Sequence, residues 1–363
     1  MLETALKVLK KIEDKGFNAY IVGGFVRDKL LGIDSPDVDI TTNARPKDIK
    51  EIFNNVLLPD VKYGSVTLII NNIRFEVTTF RREIKYINNR KPIEIEYIDD
   101  LLEDLKRRDF TINTLCLDKD ENLIDLLDGS VDITNKVIKT VGNPERKFEE
   151  DALRILRAIR FATVLNFEID GKAKEAIWTA KSLLKNISYN RKKEELDKIF
   201  VSSNARYGID LLIDLEVDKE LDIYNLTDIK LGEDILGIWA SLNVSDKYPF
   251  TNNEKELMSK IKEVVDIKEQ TNMVLYKYGL YVNVLAANIL GKDKKSIMRQ
   301  FEVLPIASRR NIDITSGEIS EIVKVNKGEI FKEVYGLLEE SIVEGILSND
   351  NMEIKEYLNK LYS

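Results

Sequence analysis

The sequence predicts an α/β head with a mixed sheet over residues 1–140, followed by an all-helical remainder. Three observations carry this. Short strand-like runs alternate with short helical runs as far as about residue 140. From Asn143-Pro144 onward the apolar residues recur only at helical spacing. The 363 residues exceed what one ordinary core organises, so more than one domain is expected.

The opening MLETALKVLKKIEDKG is an amphipathic helix and not a signal peptide. YIVGGFVRDKLLGIDSPDVDI follows, from Tyr20 to Ile40. It reads as a strand over Tyr20 to Val22, a Gly23-Gly24 turn, a short helix carrying Arg27 and Asp28, and a second strand carrying Asp37 and Asp39. Alternate residues of a strand share a face, so the Asp37 and Asp39 carboxylates lie side by side. Two parallel anions repel unless a cation joins them. One or two Mg²⁺ ions, sharing their shell with substrate phosphates, are the natural solution. Gly23 and Gly24 let the backbone approach a triphosphate and offer N–H groups at a helix start. Arg27, one turn on, is placed to pair with phosphate oxygens. Taken singly, an Asp-x-Asp is more often a turn or a cap, and a Gly-Gly is usually a turn. The combination in this order is the informative signal.

A helix from Pro46 to Asn54 comes next, with Pro at a position that needs no N–H. SVTLIINNIRFEVTTF is a hairpin around Asn71-Asn72. On its second strand Arg74, Glu76 and Thr78 share one face, which makes Glu76 either a third carboxylate facing Asp37 and Asp39 or an ion-pair partner of Arg74 or a neighbour. FRREIKYINNRKPIEIEYIDD, with Arg81, Arg82, Arg90 and Lys91 and a break at Pro92, reads as a mobile loop followed by a short strand. In DLKRRDFTINTLCLD, Arg107-Arg108-Asp109 ends one helix and begins another, with Thr111 and Asn113 as polar caps.

PERKFEEDALRILRAIRFATVLNF reads as one long amphipathic helix. Ala152, Ile155, Leu156, Ile159 and Ala162 form its apolar face, with Asp151, Arg154, Arg157 and Arg160 on the polar side. Asp151 and Arg154 are close enough for an intrahelical ion pair. From Lys172 to Lys193, seven Lys or Arg stand against the single Glu175. That run is either a phosphate-tracking stripe or a solvated face. Residues 201–310 carry helical periodicity and no readable motif.

Composition narrows the chemistry. There is no histidine, which excludes a His triad or a His base, and Cys116 is the one cysteine, which excludes an intrachain disulfide. Between apolar neighbours Cys116 reads as a small core residue. No apolar run approaches the ~20 residues of a membrane span, so no membrane partner and a cytoplasmic location are expected. The net charge of −8 does not by itself favour nucleic acid, but uneven distribution matters more than the sum. The sequence leaves the oligomeric state open.

The strand, Gly-Gly, Arg-Asp helix and Asp-x-Asp strand resemble the nucleotidyltransferase superfamily, in the class that contains bacterial CCA-adding tRNA nucleotidyltransferases and poly(A) polymerases. RRDFTIN is a string of that class, and the resemblance implies that Arg108 contacts the incoming nucleotide while Asp109 shapes the site or contacts ribose. The 80–101 stretch resembles the class's flexible loop, which implies a role in moving from C to A addition. EDALRILRAIRF matches its E-D-xx-R-xx-R-xx-R-F motif, which implies that Asp151 and Arg154 read the base while Arg157 and Arg160 support that site or the phosphates. The chemistry of that pair is sharp: cytosine and adenine both present an amine donor beside a ring-nitrogen acceptor, which Asp and Arg complement. Guanine and uracil reverse the order and leave mispaired buried groups.

ISYNRKKEELDKIF resembles the next motif, S-x-E-R-x-x-x-E-L, with Asn190 in place of the Glu and with Arg191 and Glu195 retained. Residues 311–363 resemble the tail of CCA-adding enzymes, with Gly317, Gly328 and a V-x-G-x-L-x-N pattern from Val343 to Asn349. The resemblance implies a seahorse-like chain: head 1–140, neck 141–200, body 201–310 and tail 311–363. It implies a Mg²⁺-dependent enzyme that adds CCA to tRNA from CTP and ATP. A poly(A) polymerase, a split CC-adding or A-adding enzyme, and a non-catalytic RNA-binding relic are the alternatives.

Overall fold

A computed structural model describes residues 1–54, 56–60, 64–87, 91–324 and 329–362, with residues 58–60, 85–87 and 91–93 as backbone only. Arg90, the Lys91 side chain and Gly328, singled out above, lie outside the described residues. The chain forms two compact units. The first spans residues 1–226 and takes in Ser245–Tyr248 as well; the second holds residues 227–244 and 249–363.

The first unit opens with α1 (Leu2–Glu13), β1 (Ala19–Val22), α2 (Gly24–Leu31), β2 (Val38–Thr42) and α3 (Pro46–Ile52). β3 (Val56–Asp60), β4 (Ser65–Ile70), β5 (Ile73–Thr79), β6 (Arg81–Ile87) and β7 (Lys91–Tyr97) follow. Then come α4 (Leu101–Lys106), β8 (Cys116–Leu117), β9 (Leu123–Ile124), α5 (Gly129–Thr134) and β10 (Val137–Ile138). The central sheet is mixed, in the order β3-β4-β5-β2-β1-β8-β9, with β2 and β5 parallel and the other neighbours antiparallel. Helix α1 covers it with Ala5, Val8, Leu9 and Ile12, all buried.

The hairpin at Asn71-Asn72 forms where expected. Both residues take positive φ, 51° and 61°, the left-handed pair that matches the twist of a two-residue hairpin. Of the stretch expected to be a mobile loop followed by a short strand, the strand is present as β7, but Arg81–Ile87, expected in the loop, is itself the strand β6 and pairs with it as a two-stranded ribbon. Its strands alternate charged and apolar residues and pair through their backbones, so no long apolar run announces them. Thr111 and Asn113 are likewise not caps: both are buried in a 3₁₀ turn, Thr111 donating to Asp132 (2.6 Å).

Helical packing completes the unit with α6 (Pro144–Glu150), α7 (Leu153–Leu165), β11 (Glu168–Ile169), α8 (Gly171–Ala180), α9 (Tyr189–Phe200) and α10 (Ala205–Asp214). The single long helix expected over 144–167 is therefore two. Asp151 leaves the helical region (φ −143°, ψ 103°), and its carboxylate accepts from the Leu153 N–H at 3.0 Å, starting α7 afresh. The apolar face stands as read, with Ala152, Ile155, Leu156, Ile159 and Ala162 fully buried.

Ser245–Tyr248 adds a plug to this unit. Tyr248 is 1% exposed, its hydroxyl donates to the Leu221 carbonyl (2.7 Å), and its ring meets Tyr189 edge-on at 5.1 Å.

The second unit is helical: α11 (Ile235–Ala240), α12 (Asn252–Ile267), α13 (Asn272–Leu290), α14 (Lys294–Glu302), α15 (Ser316–Val323), α16 (Glu329–Val343) and α17 (Asn351–Tyr362). Ile319, Val334, Leu338, Ile342, Ile354 and Leu358 form a core among the last three. By length and composition α13 is apolar enough to cross a membrane, which the search for long apolar runs did not anticipate. It is broken at Gly279 (φ 75°), where the Asn283 amide, fully buried, donates to the Gly279 carbonyl at 2.8 Å.

Cys116 is buried on β8, and burial pushes its thiol up to about 12. Treatment with an aromatic disulfide reagent at pH 8 is expected to leave the folded protein unlabelled and to label one thiol per chain in denaturant. Rapid labelling without denaturant would contradict this placement.

Candidate active site

The site grows from the centre of the sheet. Parallel pairing of β2 with β5 sets Asp39 directly beside Glu76, and Asp37, one residue before β2, is near enough for its charge to act on Asp39. Arg74 donates to Thr67 (3.3 Å) and not to Glu76, which leaves Glu76 facing Asp39. Desolvation first, and then the neighbouring charges of Glu76 and Asp37, push the Asp39 carboxyl up to about 6, against the pull of Arg108. Two strand carboxylates with unbalanced negative charge suit a hard divalent cation that draws its remaining ligands from water and phosphate. Among the described residues no three or more His, Cys, Asp or Glu side chains cluster around one metal position.

Next to this face lies the glycine turn. Gly23 adopts φ 83°, ψ −132°, a conformation open to glycine, and its N–H is fixed by the Leu115 carbonyl at 3.1 Å. A Cβ there would lie in ordinary contact with the Arg108 guanidinium at 3.4 Å, so it is the positive φ and not crowding that calls for glycine. Gly24 begins α2. Arg27 is 8% exposed and bonded, its Nη1 to Asn113 (2.7 Å) and its Nε to Asp28 (2.8 Å), with Phe161 beneath it.

The turn after α4 is pinned by Asp104, which is fully buried and accepts from Thr41, the Arg81 N–H and Arg107. Arg108 is held only loosely, 3.8 Å from Asp104, and its buried Nε has no hydrogen-bond partner. An orphaned guanidinium N–H of this kind is a donor awaiting an anion. Asp109 is held well below the usual carboxylate range: burial opposes this, but Arg157, Asn113 and Arg154 outweigh it. Arg157 donates to it twice (2.8 and 2.6 Å), and Asn113 donates once (3.0 Å).

The polar side of α7 does not face open solvent. Arg154 is 7% exposed and bonds the Lys147 carbonyl (2.9 Å), Glu150 (2.7 Å) and the Arg107 carbonyl (3.1 Å). Its acidic partner is thus Glu150, and Asp151 pairs with Arg191 at 3.7 Å instead. Arg160 donates to Glu195 on α9 and lies over the Phe161 ring at 3.9 Å. Sequence reasoning gave no role to Asp104 or Glu195. The i,i+3 and i,i+4 spacing of Asp104 to Arg107 and Arg108 was the available signal for the first.

These groups enclose a cleft of about 700 Å³, lined by six arginines (81, 107, 108, 154, 157 and 191) and by Glu76, Glu83, Asp109 and Asp151. The volume suits a nucleotide-sized ligand. The basic run beyond it is largely paired: Lys181 with Glu216 (2.9 Å), Lys193 with Asp197 (2.8 Å), and Lys192 buried against the Glu220 carbonyl.

Residues 19–139 match the family model described as the Poly A polymerase head domain, and residues 166–221 match the model "Probable RNA and SrmB- binding site of polymerase A". Residues 244–358 match a model of tRNA nucleotidyltransferase domain 2. The CCA-adding enzyme of Staphylococcus haemolyticus is 33% identical, over 99% of this chain and 98% of that protein. The CCA-adding enzyme of Ligilactobacillus salivarius is 34% identical, over 98% and 96%. Among solved structures, the Bacillus stearothermophilus CCA-adding enzyme in complex with CTP superposes with a TM-score of 0.86 at 28% identity, over 98% of this chain and 96% of that one. The Thermotoga maritima CCA-adding enzyme complexed with tRNA, at 20% identity and TM-score 0.72, shares the fold. A sheet that sets Asp39 beside Glu76, an arginine-lined cleft and relatives matched from end to end lead to one assignment: the chain belongs to the CCA-adding enzyme family of nucleotidyltransferases.

Proposed function

We propose that this enzyme adds the 3′-terminal CCA to tRNA from CTP and ATP, without a nucleic-acid template, in the cytoplasm where its tRNA substrate resides. The observation that carries the reading is the Asp37–Asp39 pair, whose register neighbour Glu76 lines the arginine-rich cleft. The family generally uses divalent metal ions, and we assign Mg²⁺ here. Asp37 and Asp39 would hold it, with Glu76 as a neighbouring anion. The ion supplies charge neutralisation at the phosphates and lowers the pKa of the attacking hydroxyl.

The protein's own groups do the rest. The Gly23 and Gly24 backbone approaches the triphosphate, and Arg108, with its unpartnered Nε, receives phosphate or base oxygen. Asp151 and Arg154 read the Watson–Crick edge of cytosine or adenine. Asp109, Arg157 and Arg160 hold that reading surface in place, and Arg27 braces the glycine turn from below. No side-chain base is required, in keeping with a chain without histidine.

The test offers three tRNA transcripts, ending at the discriminator base, at C and at CC, with CTP, ATP or both, and sizes the products on a gel. Stepwise growth that halts at CCA is the expected result, and EDTA is expected to abolish it. Long A-tails or growth from only some ends would replace the reading with a poly(A) or split activity. No growth in Mg²⁺ would overturn it.

A further inference from the structure

Asn113 joins the glycine-turn side of the site to the arginine-lined cleft by side-chain hydrogen bonds, beside the Phe161 ring of α7 that packs against Arg27. On one side its Oδ1 accepts from Arg27, which sits on α2 directly after the glycine turn. On the other its Nδ2 donates to Asp109, which holds Arg157 on α7. Arg27, Asn113 and Asp109 are each less than a tenth exposed, so every bond in this series is made out of water and a missing one is not replaced by solvent. The two ends of the amide are not interchangeable. Arg27 can only donate and therefore requires the oxygen; Asp109, kept ionised by its cationic neighbours, can only accept and therefore requires the NH₂. Among side chains of this length only asparagine offers both. The backbone adds to the same joint: the Asn113 carbonyl lies 3.8 Å from where a Gly23 Cβ would be, and the Leu115 carbonyl holds the Gly23 N–H.

We propose that Asn113 is a positioning residue for nucleotidyl transfer, fixing the glycine turn, where the triphosphate is held, in register with Asp109, Arg157 and the base-reading start of α7. The inference rests on the nucleotide reading given above. It assigns Asn113 no contact with substrate. In-line transfer needs the two ends of one nucleotide placed together, and an error near 1 Å between them costs on the order of 10²-fold in rate.

Asn113→Asp preserves shape and keeps the acceptor for Arg27, but it sets a carboxylate against Asp109. The charged groups around that pair are Arg27 and Asp28 on α2, Lys147 on α6, Arg154, Arg157 and Arg160 on α7, and Glu195 on α9 behind Arg157. At pH 8 kcat/KM for both CTP and ATP is expected to fall by about tenfold or more. As the pH falls toward 5.5, a proton shared between the two carboxylates restores a donor, and kcat/KM is expected to return toward the wild-type value measured at the same pH. Asn113→Leu removes both bonds and is expected to lower kcat/KM at every pH without recovery. Asn113→Ser, whose hydroxyl both donates and accepts, is expected to fall between them and guards against a variant that does not fold. Melting temperatures are recorded alongside. Variants that melt lower but keep kcat/KM for both nucleotides within about twofold of wild type at pH 8 would make Asn113 a stability residue and overturn the proposal alone. A wild-type protein that incorporates neither nucleotide overturns the nucleotide reading and this proposal with it.

Discussion

Asp39→Asn is expected to lower nucleotide addition by about 10³-fold or more while leaving the melting temperature at pH 7 level or raised. The two effects separate because Asp39 sits where its own charge is unwelcome. Its folded value is about 6 against an ordinary 3.8, raised by desolvation and by Glu76 and Asp37. A carboxyl raised on folding works against the fold when ionised: the penalty is absent below about pH 4, grows between 4 and 6, and is complete above 6. The neutral amide removes that penalty together with half of the metal-binding pair. Added Mg²⁺ should then reverse the order, stabilising wild type through binding and leaving the variant unmoved. Melting curves with Mg²⁺ and with EDTA, run beside the tRNA extension assay, check both halves. A variant that extends tRNA normally in Mg²⁺ would remove Asp39 from the chemistry, and one that melts well below wild type in EDTA would make it structural.

The second large effect concerns base choice. Asp151→Asn should relax discrimination between CTP and UTP by roughly 10²-fold while costing CTP itself about tenfold in kcat/KM. A carboxylate only accepts, so a carbonyl opposite it is rejected; an amide can turn its NH₂ toward that carbonyl. The fold should tolerate the change, because the side-chain oxygen that accepts from the Leu153 N–H survives in asparagine and only the 3.7 Å pairing with Arg191 weakens. Single-nucleotide incorporation with each of the four triphosphates gives the ratio directly. If all four fall by the same factor, Asp151 holds the start of α7 and reads nothing.

Much of the head was legible because its signals are local. Asp39 and Glu76 fall beside each other on neighbouring strands and the Asn71-Asn72 turn selects its own hairpin, while in the neck the apolar set from Ala152 to Ala162 is one helical stripe. What escaped depends on residues far apart in the chain. The break at Asp151 does not disturb the apolar phase enough to show, and it becomes visible only in the bond its side chain makes to Leu153. The ribbon β6–β7 is held by backbone pairing between polar strands, for which composition has no strong signature. Of the arginines of α7, Arg154 has a local partner in Glu150, four residues earlier, whereas Arg157 and Arg160 are paired by Asp109 and Glu195, 48 and 35 positions away, so the polar side carried no local sign of its burial. Asn113 looked like a cap for the same reason, since its role is set by Arg27, 86 residues earlier.

Ser245–Tyr248 has a consequence for the order of synthesis. These residues complete the first unit, yet residues 227–244 of the second unit leave the ribosome before them. Until Tyr248 emerges, the Leu221 carbonyl lacks its donor and the edge of Tyr189 lacks its ring, so the N-terminal unit cannot reach its final packing on the growing chain. Its maturation waits on the translation of residues that belong to the next unit, which ties the moment the catalytic unit is finished to the moment the next unit has already begun.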